Sequence, residues 1–430
     1  MLNHGTSGHL AEWERETPSS IIFRSANGAI AQDVDGKIYL DMTSCSGASP
    51  LGSNNTVFKA RLAQAMERET DVLPSPVSEQ RQILAGKISK MFPDTPRVFF
   101  LRTGSCATEA AVRIARHRTG RPVILTAGFH GWHDIFQQRP WSHDPPAKDP
   151  HIQDYQYDLD ILEQQLTANE GRVAGIFFTP EPSVFPPELL QEISRMARQH
   201  GVLLIVDEVL CGLRYAEGGY CRKHGVAPDV ITLAKGIAQG IGLSAVAGTT
   251  DAMAGADRAY LGNTYLRENR AFVAGNLTQE IFAEAKIVER LAERGSALKG
   301  LFQISFERSE IPARVLGSDT MFDIVLPSQK HGRAFAQRCL KHGIYTAYPG
   351  TYMSNASMDS AFFRALQAAL ELALADYRKD EDITAQVTDT SMVDYCAEAF
   401  HATEEACLSS RKYWFRYTEA SRESHDRTSA

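Results

Sequence analysis

The feature that most constrains the fold is a series of short apolar segments between residues 97 and 248. They cover residues 97–101, 122–127, 173–178, 202–208, 229–234 and 244–248. Most are apolar throughout, which is typical of strands buried on both faces of a parallel sheet. Helical patterns lie between several of them, at 107–118, 158–168 and 187–200. This alternation predicts an α/β domain with a mainly parallel sheet between helices.

The flanking segments predict a second, smaller α+β domain. Residues 21–42 hold two apolar runs around Asp35-Gly36, which indicates a hairpin. The other segments are helices at 56–69, 79–91, 330–342 and 360–378, one long helix from 276 to about 308, and a strand at 321–326. We expect a large domain at residues 56–275 and a small domain formed by residues 1–55 and 276–380. Residues 381–430 would form a tail with one helix at 391–408.

Composition excludes several classes of protein. The net charge of -7 gives no basic surface for nucleic acid. No apolar run approaches the roughly 20 residues that a membrane span needs, and the start of the chain lacks a signal-peptide pattern. The 7 cysteines are scattered without a CxxC pair, which favours a reducing compartment over a disulfide framework. We therefore expect a cytoplasmic protein that binds neither nucleic acid nor a membrane.

Two charged residues follow neighbouring strands. Lys235 comes directly after 229–234, and Asp207 lies in the last positions of 202–208. Ligands of open parallel sheets bind at the carboxyl ends of strands, where burial lowers the pKa of a lysine and makes its amine nucleophilic. A carboxylate there can pair with a protonated ring nitrogen of a cofactor. Considered alone, a lysine at such a position is more often a solvated surface residue, and an aspartate more often caps a helix or turn.

A short loop before the helix 107–118 has the composition of an anion site. Its residues Ser105, Cys106, Ala107 and Thr108 are small, and they stand where backbone N–H groups and the helix dipole favour a phosphate. A plain N-cap at Ser105 or Thr108 is an equally simple interpretation.

Three more side chains fall at the same predicted edge. Phe129, after 122–127, is suited to stack on a flat ring, and His130 follows it. Glu181 comes just after 173–178. His130 and His133 have no further ligands nearby, so we expect no metal. A phosphate cradle, a ring stacker, a carboxylate and an amine together predict pyridoxal 5′-phosphate (PLP) as cofactor.

The stretch 203–248 carries the most specific resemblance. Its order of strand, DEV, G-x-R, GG, GV-x-PD, strand and lysine resembles the class III aminotransferase family, especially the branch near glutamate-1-semialdehyde 2,1-aminomutase. Residues 33–41, 103–125 and 129–134 are also similar to that family. The resemblance implies the PLP-dependent transferase fold type I and a homodimer with active sites at its interface.

The resemblance also implies roles for residues at matching positions. Lys235 would form the aldimine and shuttle protons, and Asp207 would bind the pyridine nitrogen. Phe129 would stack on the ring, and Glu181 would be an acidic residue near the site. The phosphate would be surrounded by Cys106, Ala107 and Thr108.

Three departures from the family pattern predict a specialised substrate or weakened catalysis. Cys106 replaces a polar residue of the phosphate loop. The local register ending at Gly275-Asn276 puts Phe272 where many relatives have a threonine that reaches the partner's phosphate. The stretch 353–359 lacks the expected histidine.

The predicted reaction is amino transfer from a small-molecule amino donor to an aldehyde or ketone acceptor. The alternatives are an aminomutase, in which 139–156 and 255–270 are candidate lids, another PLP reaction, and a non-catalytic PLP-fold protein. An arginine often binds a substrate carboxylate, and the sequence does not choose among Arg24, Arg102, Arg214 and Arg267.

Overall fold

A computed structural model describes residues 21–136, 149–262, 264–346, 348–399, 407 and 410. Its strands are β1 (Phe23–Asn27), β2 (Ile30–Asp33), β3 (Ile38–Asp41), β4 (Arg97–Leu101), β5 (Val123–Ala127), β6 (Ile152–Asp154), β7 (Val173–Phe178), β8 (Leu203–Asp207), β9 (Val230–Leu233), β10 (Ser244–Gly248), β11 (Arg314–Ser318), β12 (Met321–Val325), β13 (Ile344–Tyr345) and β14 (Tyr352–Met353).

The α-helices are α1 (Thr56–Met66), α2 (Glu79–Met91), α3 (Gly104–Thr119), α4 (Leu159–Ala168), α5 (Pro187–Gln199), α6 (Gly219–Lys223), α7 (Thr250–Met253), α8 (Arg270–Glu284), α9 (Ile287–Arg308), α10 (Gln329–Lys341), α11 (Ser360–Asp380) and α12 (Asp389–Ala399). Short 3₁₀ turns lie at Asp134–Phe136, Lys235–Ala238 and Thr264–Arg267. No described helix is long and apolar enough to cross a membrane.

The central sheet has the strand order β4-β10-β9-β8-β7-β5-β6. Neighbours from β9 to β6 are parallel, whereas β10 is antiparallel to both β9 and β4. Successive strand residues enter opposite layers of the core: Ile205 packs with α3, and Val206 packs on the other face. The predicted α/β architecture is confirmed, and both faces of the sheet are covered because its strands are apolar on both sides.

Two smaller sheets accompany the central one, with orders β1-β2-β3-β13 and β11-β12-β14. The predicted hairpin turn at Asp35-Gly36 joins β2 to β3, and a second turn at Gly28, with φ 61°, joins β1 to β2. Strand β13 pairs in parallel with β3. The start of the described chain and its C-terminal part therefore share one sheet.

The long helix predicted from 276 to about 308 is wrong as a single element. The chain forms α8 and α9 instead, and Lys286 between them has φ 47°. A residue in this left-handed region cannot continue the α-helical hydrogen bonds. Nothing in the local apolar pattern marks that break.

The tail contains the helix α12, which begins two residues before the predicted start at 391. Met392, Tyr395 and Cys396 on this helix are buried. Of the predicted 391–408 helix, residues 400–406 and 408 lie outside the described part of the chain. The helix α12 is thus packed on the protein rather than solvated.

Two glycines of α9 give a matched test of this packing. A Cβ built on Gly295 would overlap the carbonyl oxygen of Asp319, in the β11–β12 turn, whereas one on Gly300 meets nothing within 4 Å. We expect Gly300→Ala to raise the free energy of unfolding by up to about 1 kcal/mol, through helix propensity. Gly295→Ala should lower it by about 1–3 kcal/mol, because of overpacking. Denaturant unfolding of both variants measures this, and a stabilised Gly295→Ala variant would contradict the packing of this turn on α9.

Candidate active site

A cavity of about 410 Å³ opens at the carboxyl edge of the central sheet. Its walls come from the segments that follow β4, β5, β7, β8 and β9. It brings together seven of the residues predicted from the sequence, namely Ser105, Thr108, Phe129, His130, Glu181, Asp207 and Lys235. Cys106 and Ala107 are not among the residues that line it.

Lys235 stands where β9 ends and a 3₁₀ turn begins, with φ 46°. Its side chain is half-buried. Burial lowers the pKa of its amine, the nearby Asp207 carboxylate opposes that shift, and the Arg214 guanidinium adds to it. A lysine with a lowered pKa has more of the neutral amine, which is the nucleophilic form.

Asp207 is the last residue of β8 and is 5% exposed. Its Oδ1 accepts hydrogen bonds from the backbone N–H of Val209 and from the hydroxyl of Thr232, both at 2.9 Å. Its Oδ2 lies 3.5 Å from Nδ1 of His130. One oxygen is therefore held by the sheet, and the carboxylate still lines the cavity.

The ring of His130 lies beside the Asp207 carboxylate. Its ring stacks on Phe177, with centroids 4.1 Å apart, and its Nδ1 lies 3.0 Å from the Thr179 hydroxyl. Its buried Nε2 has no hydrogen-bond partner among the described residues. Sequence reasoning missed Thr179 and Thr232, whose only signal is a hydroxyl at or near the end of an apolar strand.

The first turn of α3 faces the cavity through Thr103, Gly104, Ser105 and Thr108. Thr103 caps the helix, since its hydroxyl accepts a 3.2 Å hydrogen bond from the N–H of Cys106. Thr108 Oγ1 lies 2.5 Å from the backbone carbonyl oxygen of residue 130, which ties this turn to the next loop. A helix N-terminus with small residues suits a phosphate.

The side chains of Cys106 and Ala107 do not line the cavity. Residues 104, 105 and 108 share one helix face, and 106 and 107 point elsewhere. Ala107 is 0% exposed and packs in the core between α3 and the sheet. The Cys106 sulfur lies 3.1 Å from the hydroxyl of Thr103.

Phe129 lines the cavity with 53% of its side chain exposed. Glu181, on another wall, is half-buried. Burial, followed by the charge of Asp323, raises the pKa of Glu181 to about 8, and Lys235 partly offsets this. Glu181 therefore holds a proton at neutral pH.

Of the four candidate arginines, Arg102 alone lines the cavity. Its Nη1 lies 2.9 Å from the Glu268 carboxylate and donates to the Gly242 carbonyl at 3.2 Å. Arg214 is buried and donates to the carbonyl oxygens of Thr320 and Ser354, which lowers its freedom to bind a ligand. Arg24 and Arg267 are exposed. None of the four presents an unengaged guanidinium to the cavity.

Phe272, the expected replacement for a phosphate-binding threonine, is 1% exposed. It packs edge-on against Phe100, with centroids 5.2 Å apart, and the Arg102 guanidinium lies over its ring. The side chain is therefore part of the core and does not extend beyond the subunit.

These groups fit PLP. The α3 N-terminus suits the phosphate, and the exposed ring of Phe129 suits a flat cofactor ring. The buried carboxylate of Asp207 suits the ring nitrogen, and the half-buried amine of Lys235 suits the aldehyde. Asp207 and Lys235 both line the cavity, so a group bound there can reach the carboxylate and the amine.

Comparisons with known proteins agree with this geometry. A 2'-deamino-2'-hydroxyneamine transaminase of Streptomyces kanamyceticus is 29% identical over 75% of this chain and 83% of its own length. A glutamate-1-semialdehyde 2,1-aminomutase of Roseiflexus castenholzii is 30% identical over 80% of this chain and 88% of its own.

Among solved structures, the PLP internal aldimine form of the FumI protein from Sphingopyxis sp. MTA144 matches with a TM-score of 0.79 and 26% identity. It covers 88% of this chain and 93% of that chain. The predicted PLP-dependent transferase fold type I is confirmed. The family model Aminotransferase class-III matches residues 11–367, and the chain therefore belongs to the class III aminotransferase family.

Proposed function

We propose that this protein is a PLP-dependent aminotransferase that moves an amino group from a small-molecule donor to an aldehyde or ketone acceptor. The observation that carries the proposal is that Lys235 and Asp207, at the ends of neighbouring strands, line one cavity with the N-terminus of α3. PLP, when bound, supplies the electron sink that stabilises a carbanion at the substrate carbon.

Each residue has a proposed part in holding the cofactor. Lys235 binds its aldehyde carbon, and the Asp207 carboxylate keeps its ring nitrogen protonated. Phe129 covers one ring face, while His130 supports the carboxylate of Asp207. The phosphate is bound by Ser105 and Thr108 at the N-terminus of α3, in the turn that also contains Cys106 and Ala107.

Proton transfer is proposed to run through Nζ of Lys235. Once the amino donor has displaced it from the cofactor, Lys235 has a lowered pKa and can accept the proton of the substrate carbon. The same amine would then deliver that proton to the cofactor carbon. Glu181, whose pKa burial raises to about 8, does not add a full negative charge beside Asp207 at neutral pH.

The alternative function is intramolecular amino transfer, as in an aminomutase. It is favoured by the relatives named glutamate-1-semialdehyde 2,1-aminomutase, which share 26–30% identity with this chain. Incubating the PLP-loaded protein with one amino compound and no carbonyl acceptor separates the two. An isomer of that compound formed over many turnovers indicates a mutase, whereas a single stoichiometric turnover to the keto product indicates a transaminase. Residues 139–148 of one candidate lid lie outside the described chain.

We further propose a homodimer with the active sites at its interface. Trp132 lines the cavity and is 69% exposed, and Tyr265, whose carbonyl accepts from Arg102, is 72% exposed. Large exposed aromatic side chains at a cavity mouth are suited to cover by a second subunit.

We also propose how the chain divides into domains and where the protein is located. The division into a large domain at 56–275 and a small domain from 1–55 and 276–380 is supported by the pairing of β13 with β3. A cytoplasmic location is supported by six cysteines that are free thiols, namely Cys45, Cys106, Cys211, Cys221, Cys339 and Cys396.

Lys235→Ala tests the proposed amine. We expect the wild-type protein to develop a visible absorbance band on incubation with PLP, and the variant to lack it, because the band requires the bond between lysine and cofactor. Lys379→Ala is the control, since that side chain is 75% exposed on α11. A variant at position 235 that keeps the band would refute the assignment.

Asp207→Asn tests the ring-nitrogen partner. The variant keeps its shape and loses its charge, and breaking a buried charge pair costs about 3–5 kcal/mol. We expect kcat to fall by about 10²–10³-fold while PLP is still bound. Asp229→Asn is the control: Asp229 accepts a 2.7 Å hydrogen bond from the N–H of Leu204 at the opposite end of the sheet. Equal losses of kcat in the two variants would contradict the proposed role.

A further inference from the structure

The loop that follows β3 has an uncommon backbone conformation. Three consecutive residues, Ser44, Cys45 and Ser46, have φ angles of 50°, 52° and 55°, and Gly47 follows with φ 80°. This left-handed region is unfavourable for residues that carry a Cβ, so a run of three persists only where the surrounding structure fixes it. Residues 43–48, called the β3 loop below, are therefore held in place by their contacts.

The Asp41 carboxylate fixes the start of the β3 loop. Its Oδ1 accepts hydrogen bonds from the N–H and the hydroxyl of Thr43, both at 2.7 Å, and its Oδ2 accepts one from the N–H of Cys45 at 3.1 Å. Within the loop, the N–H of Gly47 donates to the carbonyl of Thr43 at 3.0 Å. The N–H of Ala48 donates to the carbonyl of Cys45 at 3.1 Å. These bonds set the shape of the loop.

Arg214, in the connection after β8, contacts the β3 loop from inside the protein. Its buried Nη2 donates to the hydroxyl of Ser44 at 3.3 Å, and Ser44 is itself buried. That hydroxyl donates in turn to the carbonyl of Ser49 at 3.0 Å. Nη1 of Arg214 donates to the carbonyls of Thr320 and Ser354 at 3.4 and 3.2 Å. One guanidinium thus joins the β3 loop, the β11–β12 turn and the segment after β14.

Another part of the β3 loop borders the active-site cavity. Ala48 lines that cavity together with Leu210 and Lys235. A Cβ built on Gly47 would lie 2.5 Å from Cδ1 of Leu210 and 3.6 Å from Cδ of Lys235. The backbone of the loop therefore packs beside the side chain of the proposed amine, and any movement of the loop changes the space around that side chain.

We propose that Arg214 is a positioning residue that fixes the β3 loop as a wall of the cavity beside Lys235. The loop then limits the size of the molecule that can approach the amine. Arginine suits this part because its planar guanidinium donates to several acceptors in a fixed geometry, which a lysine ammonium does not reproduce. The inference rests on the proposed function, because the size limit acts on reaction at Lys235.

The first test measures amide hydrogen exchange in the protein without cofactor. Arg214→Lys keeps the charge and loses the planar fork, and Ser44→Ala removes the hydroxyl to which Arg214 donates. In both variants we expect the N–H groups of Gly47 and Ala48 to exchange at least about tenfold faster, because the hydrogen bond from a charged donor no longer holds the loop closed. Exchange in β7 should stay unchanged.

The second test uses the PLP-loaded protein and two probes of different size, methoxyamine and O-benzylhydroxylamine. The probe nitrogen replaces Nζ of Lys235 on the cofactor carbon and frees the lysine amine, which removes the visible band. We expect the wild-type protein to react faster with the smaller probe, and the ratio of the two rates to fall at least about threefold in Arg214→Lys and Ser44→Ala. Because the readout is a ratio, a general change in the reactivity of the cofactor cancels.

Arg222→Lys is the control, because Arg222 lies in the same connection after β8 and donates to the carbonyl of Met91 instead of the β3 loop. It should change neither the exchange of the loop nor the ratio of rates. The inference is overturned, with the proposed function intact, by unchanged loop exchange or an unchanged ratio in either test variant, or by faster exchange throughout the protein. Absence of the visible band from the wild-type protein contradicts the proposed function itself, while hydrogen exchange still measures how Arg214 holds the loop.

Discussion

The parallel pairing of β8 with β9 is the constraint on which the site depends. Its register sets Asp207 opposite Thr232, so that the threonine hydroxyl holds one carboxylate oxygen at 2.9 Å. Lys235 follows three residues later, at the same edge of the sheet. A slip of one residue would turn Asp207 to the other face of the sheet and separate the acid from the amine.

The same strand end uses two adjacent carboxylates in different ways. Asp207 lines the cavity, whereas Glu208 is 1% exposed and accepts hydrogen bonds from the N–H groups of Tyr220 and Cys221 at the start of α6. Burial raises the pKa of Glu208 to about 7, and those two donors oppose the rise. One acid thus anchors the loop after β8, and its neighbour remains available to a ligand.

The sequence predicted the elements that depend on local pattern. Strands apolar on both faces mark a parallel sheet, and that sheet puts Lys235, Asp207 and Glu181 at one edge. The sequence did not predict which way the side chains of a helix face, nor how segments distant in sequence pack together. The face of α3 that meets the cavity depends on where the helix begins, so the local sequence did not show that the side chains of Cys106 and Ala107 lie outside the cavity lining. The break at Lys286 and the docking of α12 arise from contacts between segments distant in sequence, which no local window contains.

The central claim is that the amine of Lys235 and the carboxylate of Asp207 bind the same cofactor. It is tested most directly by incubating the protein with PLP, reducing with borohydride to fix the cofactor to the amine that binds it, and mapping the adduct by peptide mass spectrometry. The account predicts one phosphopyridoxyl group per chain, on the peptide that contains Lys235. A modification spread over several lysines, or located on another one, would contradict it.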